Sequence, residues 1–458
     1  MAEGKAKFAY MKQVAIGAAS GVVTLALIIG GFSISGTATI NNANQQSNNA
    51  ESATPTPSVT PSLSRTCTVA EQAADPKLGI FTAAVINPAT DELLFDRDSE
   101  KGSAPASTLK MLTASAALQV LGPNYRVETK VYQDSANPST IYLVGAGDPT
   151  LSRTPNGKQS VYRDAPKLSD LAVAVNAALG AQTVSKIVLD STLFSGPSWE
   201  PTWQRSEQTQ GYMSEVTALQ VDGDRRNPAA ATSPRSTTPV ANAGRFFKAA
   251  LGASAANAVI SEAKMPAGMN QIASVYSQPI SQWVKYMLLT SDNTLAEYLA
   301  RLLSLKQGFD GSFTSLNAAI KMGLNATMLS SANLTIKDGS GLSDFNSVPP
   351  KYLAQFSKLV LSGVGNYAVI YQGLPIANES GSLASRFNKD NLDAAGKIIA
   401  KTGWIKRGYT LAGIIKAKDG VDLVFAVYAH GQVDDTTKLA IDNFVTAVYR
   451  CGNSLSNN

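Results

Sequence analysis

Two cysteines, Cys67 and Cys451, are the only ones in a chain of 458 residues, and 384 positions separate them. If they pair, the first and last elements of the body must pack side by side, which excludes any fold that leaves its ends apart. The alternative is two free thiols. The choice depends on compartment, because disulfides persist in oxidising surroundings and are rare in the cytosol.

The first residues argue for export. Lys5, Lys7 and Lys12 precede an uncharged stretch, 14–38, that is long enough to cross a bilayer. The flanking charge predicts a cytoplasmic N-terminus over 1–13. Two readings of 14–38 stand: an uncleaved transmembrane anchor, which we favour, or a long signal peptide cut near Ala38. Both place the rest of the chain outside the cytoplasm, at the outer face of a bacterial membrane or in its wall. Residues 41–66 carry almost no large apolar side chains and repeat Thr-Pro and Ser, so they predict an extended stalk. The body then begins near Cys67, and one Cys67–Cys451 disulfide is its expected state.

Composition narrows the chemistry. With 44% hydrophobic and 16% charged residues, most of the body folds around real cores. The net charge of +5 is mild and no Lys/Arg run stands out, so nucleic acid is not an expected partner. One histidine and two cysteines cannot furnish a zinc site without carboxylates, and no metal or cofactor is expected. A serine hydrolase with a histidine base would have to use His430. That residue ends the apolar run "VDLVFAVYAH" and reads as structural. Serine chemistry in this chain therefore points to lysine as the base.

The body divides into three stretches. "LGIFTAAVINPATDELLFDRD" predicts two strands about a turn, and "PASTLKMLTASAALQVLGP" predicts a helix stopped by Gly122-Pro123, with Ser107 in its first turn and Lys110 one turn on. From 124 to 275 short strands alternate with a helix and polar loops, which reads as one or two inserted α/β modules. Helical periodicity returns at Ile280, Trp283, Val284, Met287 and Leu288, and again at Leu295, Leu299, Leu302 and Leu303, with "TSDNT" between. Three apolar strands, "GKIIAKTGWI", "YTLAGIIKA" and "VDLVFAVYAHG", precede a last helix ending at Cys451.

Three short motifs stand in order on these elements: Ser107-Thr-Leu-Lys110, Ser291-Asp-Asn293 and Lys401-Thr-Gly403. Together they resemble the signature set of the penicillin-recognising serine hydrolases. The whole of 124–275 lies between the first two motifs. With "GDPTL", "DSTLFSGPSWEPTW", "VTALQVDGD", "SDNTLAEYL" and "DGSGLS", this is similar to the D-alanyl-D-alanine carboxypeptidase/endopeptidases, class C penicillin-binding proteins of peptidase family S13. The resemblance covers most of the body.

It implies an α/β (α+β) fold. A transpeptidase-like domain (67–123 and 276–451), with an antiparallel sheet flanked by helices and an all-helical lobe, would carry two smaller inserted domains within 124–275. It also implies cleavage of D-Ala-D-Ala stem peptides, and of cross-links, through an acyl-enzyme on Ser107, with β-lactams as inhibitors. Lys110 would be the base, its pKa lowered by burial and by the Lys401 cation. Ser291 would relay a proton to the leaving amine and Asn293 would bind the substrate peptide. Lys401 and Thr402 would hold the terminal carboxylate, and Gly403 would let the substrate lie along the strand. The backbone N–H groups of Ser107 and Trp404 would form the oxyanion hole. Family members often have threonine where Trp404 stands, which leaves part of the carboxylate grip unassigned. The alternatives are a β-lactamase or esterase of the same superfamily, or a non-catalytic wall-binding protein.

Overall fold

The computed structural model describes residues 65–457. The expected cytoplasmic segment 1–13, the anchor or signal segment 14–38 and the stalk up to residue 64 lie outside the described residues. Within them, no helix is long and apolar enough to cross a membrane.

Both ends of the body build one antiparallel sheet. Its strands are β1 (Ile80–Asn87), β2 (Glu92–Arg97), β8 (Ile398–Ile405), β9 (Gly408–Lys416) and β10 (Asp422–His430), in the order β2-β1-β10-β9-β8. The continuous apolar run of β10 follows from its central place. Period two sends Phe425, Val427 and Ala429 to one core and Val424, Ala426 and Tyr428 to another, so both faces are buried. On the first face lie the short helix α1 (Ala70–Ala73) and the long α11 (Asp435–Cys451), whose Phe444 packs edge-on to Phe81 and Phe95. Asp434 starts α11 through a capping box with Thr437.

The last residue of α11, Cys451, is disulfide-bonded to Cys67 with Cα atoms 5.4 Å apart. Backbone bonds from Cys67 N to Ser454 O (3.0 Å) and from Ser456 N to Cys67 O (2.8 Å) hold the same junction.

The second face is covered by the helical part: α2 (Lys110–Leu121), α6 (Ile280–Thr290), α7 (Asn293–Lys306), α8 (Leu316–Gly323), α9 (Pro350–Ser362) and α10 (Asn366–Gly373). The helical periodicities at 280–288 and 295–303 lie on α6 and α7 and face this core. The α10 helix and the segment after it carried no clear sequence signal. Their effect is on β8: Ile376 bridges Ile399, so 375–377 cover the first half of its outer edge.

The interval 124–275 has two unlike parts. One is a five-stranded mixed sheet of β3 (Glu128–Gln133), β4 (Thr140–Val144), β5 (Lys186–Asp190), β6 (Val259–Glu262) and β7 (Asn270–Tyr276), in the order β6-β5-β4-β3-β7. Helices α3 (Leu168–Leu179) and α5 (Pro239–Leu251) close its own core through Leu171, Val175, Val240 and Phe247. The other is 191–238, which has turns and only the five-residue α4 (Ser206–Gln210) as α-helix. Its Trp199, Trp203, Met213 and Val216 are buried in the helical core and not in that of the inserted sheet.

Candidate active site

Ser107 sits in a 3-10 turn, Ala106–Leu109, that precedes α2, rather than within the α-helix itself. The reason is local. Ala106 has φ 48°, which an α-helix cannot contain and a non-glycine residue rarely adopts. Gly341 lies against the Ala106 carbonyl with φ 82°, and a Cβ there would collide with it. The turn is thus held in a costly conformation by close packing, and it leaves Ser107 9% exposed at the floor of a cleft.

The Lys110 amine is wholly buried and donates three hydrogen bonds of 2.7 Å: to Ser107 Oγ, to Asn293 Oδ1 and to the Ser340 carbonyl. Burial pushes its pKa down to about 8, against the opposing pull of Asp338, Glu297 and Asp292. At pH 7 about a tenth of such amines are neutral, against roughly one in three thousand for an exposed lysine. Lys401 differs. Burial first, and the Lys110 cation second, push it well below the ordinary range, so the repulsion expected on Lys110 is resolved at Lys401.

Ser291 and Asn293 come from the break between α6 and α7. Ser291 ends α6 at φ 62°, Asp292 caps α7 by accepting from Leu295 N (2.8 Å), and Asn293 is the first helical residue. The cap thus fixes the turn that carries both candidate side chains. Asp292 Oδ2 also accepts from Arg225 Nη2 at 2.6 Å, with both side chains almost fully buried, and Arg225 Nη1 donates to Tyr162 OH at 2.7 Å. The Asn293 side-chain amide donates to the Tyr212 carbonyl (3.2 Å), so both ends of Asn293 are engaged within the protein.

Lys401, Thr402, Gly403 and Trp404 lie on β8, the edge strand. The Lys401 amine donates to Ser291 Oγ (2.8 Å) and to the Thr402 carbonyl (2.7 Å) and is fully buried. It therefore stands behind Ser291 instead of facing the cleft as the carboxylate grip would require. Thr402 Oγ1 meets Ser382 Oγ at 2.6 Å on the cleft wall. Ile398 and Ala400 bond outward to Ala377 and Pro375, and period two turns the N–H of Thr402 and Trp404 to that same side. Gly403 is required by approach: a Cβ there would lie 2.9 Å from Ser107 N. Trp404, 47% exposed, stacks on Tyr409 and meets Tyr212 edge-on.

Ser107, Ser291, Asn293, Thr402, Gly403 and Trp404 thus line one cleft of about 870 Å³. Its contents permit a serine alkoxide with a neighbouring amine base, a second hydroxyl on a second amine, and unpaired strand N–H groups for an oxyanion. His430 plays no part: its Nε2 meets the Ala104 carbonyl at 2.9 Å, and burial lowers its pKa.

Sequence reasoning did not single out Glu297, Arg225, Tyr212, Trp203 or Ser382, and gave "DGSGLS" only as a mark of the resemblance, with no role for its residues. Glu297 carried a usable signal. Placed four residues after Asn293 in a helix, it shares the face of Asn293 that turns inward.

Comparison with known proteins supplies the remaining context. The D-Ala-D-Ala carboxypeptidase 3 (S13) family profile matches residues 66–234 and 225–449. A carboxypeptidase of Mycobacterium tuberculosis is 33% identical over 392 residues, 84% of each chain. A D-alanyl-D-alanine carboxypeptidase of an Actinomadura species is 26% identical over 443 residues, 78% of this chain and 79% of the other. The crystal structure of penicillin binding protein 4 from Haemophilus influenzae superposes with a TM-score of 0.69 at 20% identity, covering 82% of this chain and 96% of that one, which establishes the shared fold.

Proposed function

The chain belongs to the D-Ala-D-Ala carboxypeptidase 3 (S13) family, and on that premise we propose that Ser107 attacks the terminal D-Ala-D-Ala bond of peptidoglycan stem peptides. The observation that carries this reading is the buried Lys110 amine, 2.7 Å from Ser107 Oγ and lowered to about 8. It takes the Ser107 proton as the new ester bond forms. The carbonyl oxygen, now negative, is received by the N–H groups of Ser107 and Trp404. The proton taken by Lys110 passes on, with Ser291 as the relay, to the departing D-alanine amine, so Lys110 becomes neutral again and Ser291, held by Lys401, ends as it began. Water then hydrolyses the acyl-enzyme with Lys110 again as base. Cleavage of cross-links needs the same steps on a longer leaving group.

The terminal carboxylate meets Thr402 and Ser382 on the cleft wall, and Lys401 contributes by holding Ser291 from behind. The reading makes β-lactams acylating inhibitors. The disulfide suits an oxidising compartment and supports work outside the cytoplasm, with 14–38 as the export or anchoring element.

Labelled penicillin and a pentapeptide ending in D-Ala-D-Ala test this on the full chain and on Ser107→Ala. A stable adduct and D-alanine release by the wild type, both absent in the variant, are expected. No adduct and no release would leave a wall-binding role, and rapid penicillin turnover would mark a β-lactamase. The acylation rate should rise with pH through about 8, as Lys110 loses its proton.

A further inference from the structure

We infer that Glu297 and the turn Asp338–Ser343 form the device that positions Lys110 for proton transfer, with Glu297 acting through the turn rather than on the substrate. The inference deepens the reading of the cleft as a serine DD-peptidase and rests on it.

Glu297 is fully buried on α7. Its Oε2 accepts from Gly339 N (3.0 Å) and its Oε1 from Ser340 N (2.7 Å). The next polar atom along the turn, the Ser340 carbonyl, accepts from Lys110 Nζ at 2.7 Å. The opposite side of the turn is held from α2, where Thr113 Oγ1 donates to the Gly339 carbonyl at 2.7 Å. Asp338 closes the turn on itself through Gly341 N (2.8 Å) and Ser343 N (2.7 Å). The carbonyl that meets the base is therefore fixed by side chains on two helices.

Chemistry explains why a carboxylate stands at 297. Two parallel backbone N–H donors need two acceptor oxygens, and a glutamine offers only one. Among the described residues Glu297 bonds no cationic side chain, and a buried carboxyl without one is costly. The geometry gives it a single function, which is to hold the turn.

The charges around Lys110 agree. From α7 and its cap come Glu297 and Asp292, the latter already paired with Arg225. From the turn comes Asp338, and from β8 comes Lys401. Glu297 and Asp338 both raise the Lys110 pKa against burial, while on Lys401 burial and the Lys110 cation both push downward. Burial, with Asp338, pushes the Glu297 pKa up, and the hydrogen bonds from Gly339 and Ser340 oppose that rise and favour the carboxylate.

The test is the pH profile of penicillin acylation by the full chain, its Glu297→Gln variant and its Thr113→Val variant. In Glu297→Gln, losing the carboxylate and releasing the Ser340 carbonyl both withdraw support from the Lys110 ammonium, so the midpoint should move below that of the wild type. The limiting acylation rate should fall about tenfold, on the order of one buried hydrogen bond, with penicillin's affinity for the unreacted cleft nearly unchanged. Thr113→Val keeps every charge and should lower the rate about threefold without moving the midpoint. A folded Glu297→Gln protein with wild-type rate and midpoint overturns the inference. Should that variant not fold, an unchanged rate in Thr113→Val overturns it. If the wild type itself forms no adduct, the underlying reading fails. If wild type and both variants acylate alike, only this inference does.

Discussion

The two parts of the interval 124–275 have opposite relations to the cleft. The inserted sheet with α3 and α5 has its own core, built from Leu171, Val175 and Phe247. The stretch 191–238 has almost no regular structure; its Trp199, Trp203, Met213 and Val216 belong to the core of the helices, and only Leu219 and Val221 at its far end join the core of the sheet. Nearly every contact between the interval and the catalytic turns comes from the second part. Arg225 grips Asp292, the Tyr212 carbonyl holds Asn293, Trp203 Nε1 donates to Asp338 at 2.7 Å, and Thr202 meets Ser343 at 2.7 Å. An insertion between two of the signature motifs thus contributes one module with a core of its own and one wall of the cleft. Regular secondary structure marks the part that makes fewer contacts with the cleft.

Arg225→Ala should give the largest effect. It leaves Asp292 buried and unpaired, a change that costs about 3–5 kcal/mol when a buried ion pair loses one member. Part of that cost should appear at the Ser291–Asn293 turn as an acylation rate at least about 100-fold lower, measured with labelled penicillin. A variant that acylates normally would show that 191–238 merely walls the cleft.

Phe247→Ala sharpens the comparison from the other side. A fully buried phenylalanine cut to alanine costs about 3–5 kcal/mol. Thermal unfolding should register that loss, while acylation per folded molecule stays within about twofold of wild type at low temperature. Parallel loss of acylation would mean the sheet core and the cleft are one cooperative unit.

This division also explains what the sequence disclosed. Ser107, Lys110, Ser291, Asn293 and Lys401 were legible because their side chains carry type-specific chemistry and sit at the ends of strongly periodic elements. The two-ended sheet was legible because β10 is apolar along its whole length and the cysteines bracket it. Other parts of the cleft were not. One is the Ser340 carbonyl, and a backbone oxygen leaves no mark in composition. Arg225 lies in a polar stretch whose pattern reads as a loop, and its burial depends on Tyr162 and Asp292, both far from it in sequence. The burial of Lys401 behind Ser291 was equally hidden, because alternation along β8 gives the side of the strand and not the depth of the cleft.

Thr202→Val tests the weaker of the irregular segment's contacts. It removes the hydroxyl bond to Ser343 at the edge of the turn that carries Ser340. One such bond is worth about 0.5–1.5 kcal/mol, so the acylation rate should fall about three- to tenfold, with little change in thermal stability. No change in rate would confine the irregular segment's influence to Arg225, Tyr212 and Trp203.

The smallest effect belongs to the surface of the inserted sheet. Glu128 and Lys130 pair at 3.1 Å on one face of β3, with side chains 23% and 34% exposed. Solvent screens such a pair, and its contribution is about 0.5 kcal/mol or less. Lys130→Ala should therefore leave both the melting temperature and the acylation of soluble penicillin essentially unchanged. Its value lies in a second measurement with intact peptidoglycan. Penicillin reads only the cleft, whereas a polymer can also touch the module. Equal activity of variant and wild type on both substrates keeps the sheet outside the reaction. Loss on the polymer alone would make this face of β3 a substrate-binding surface, and the contrast between the two parts of the interval would become one of range rather than of involvement.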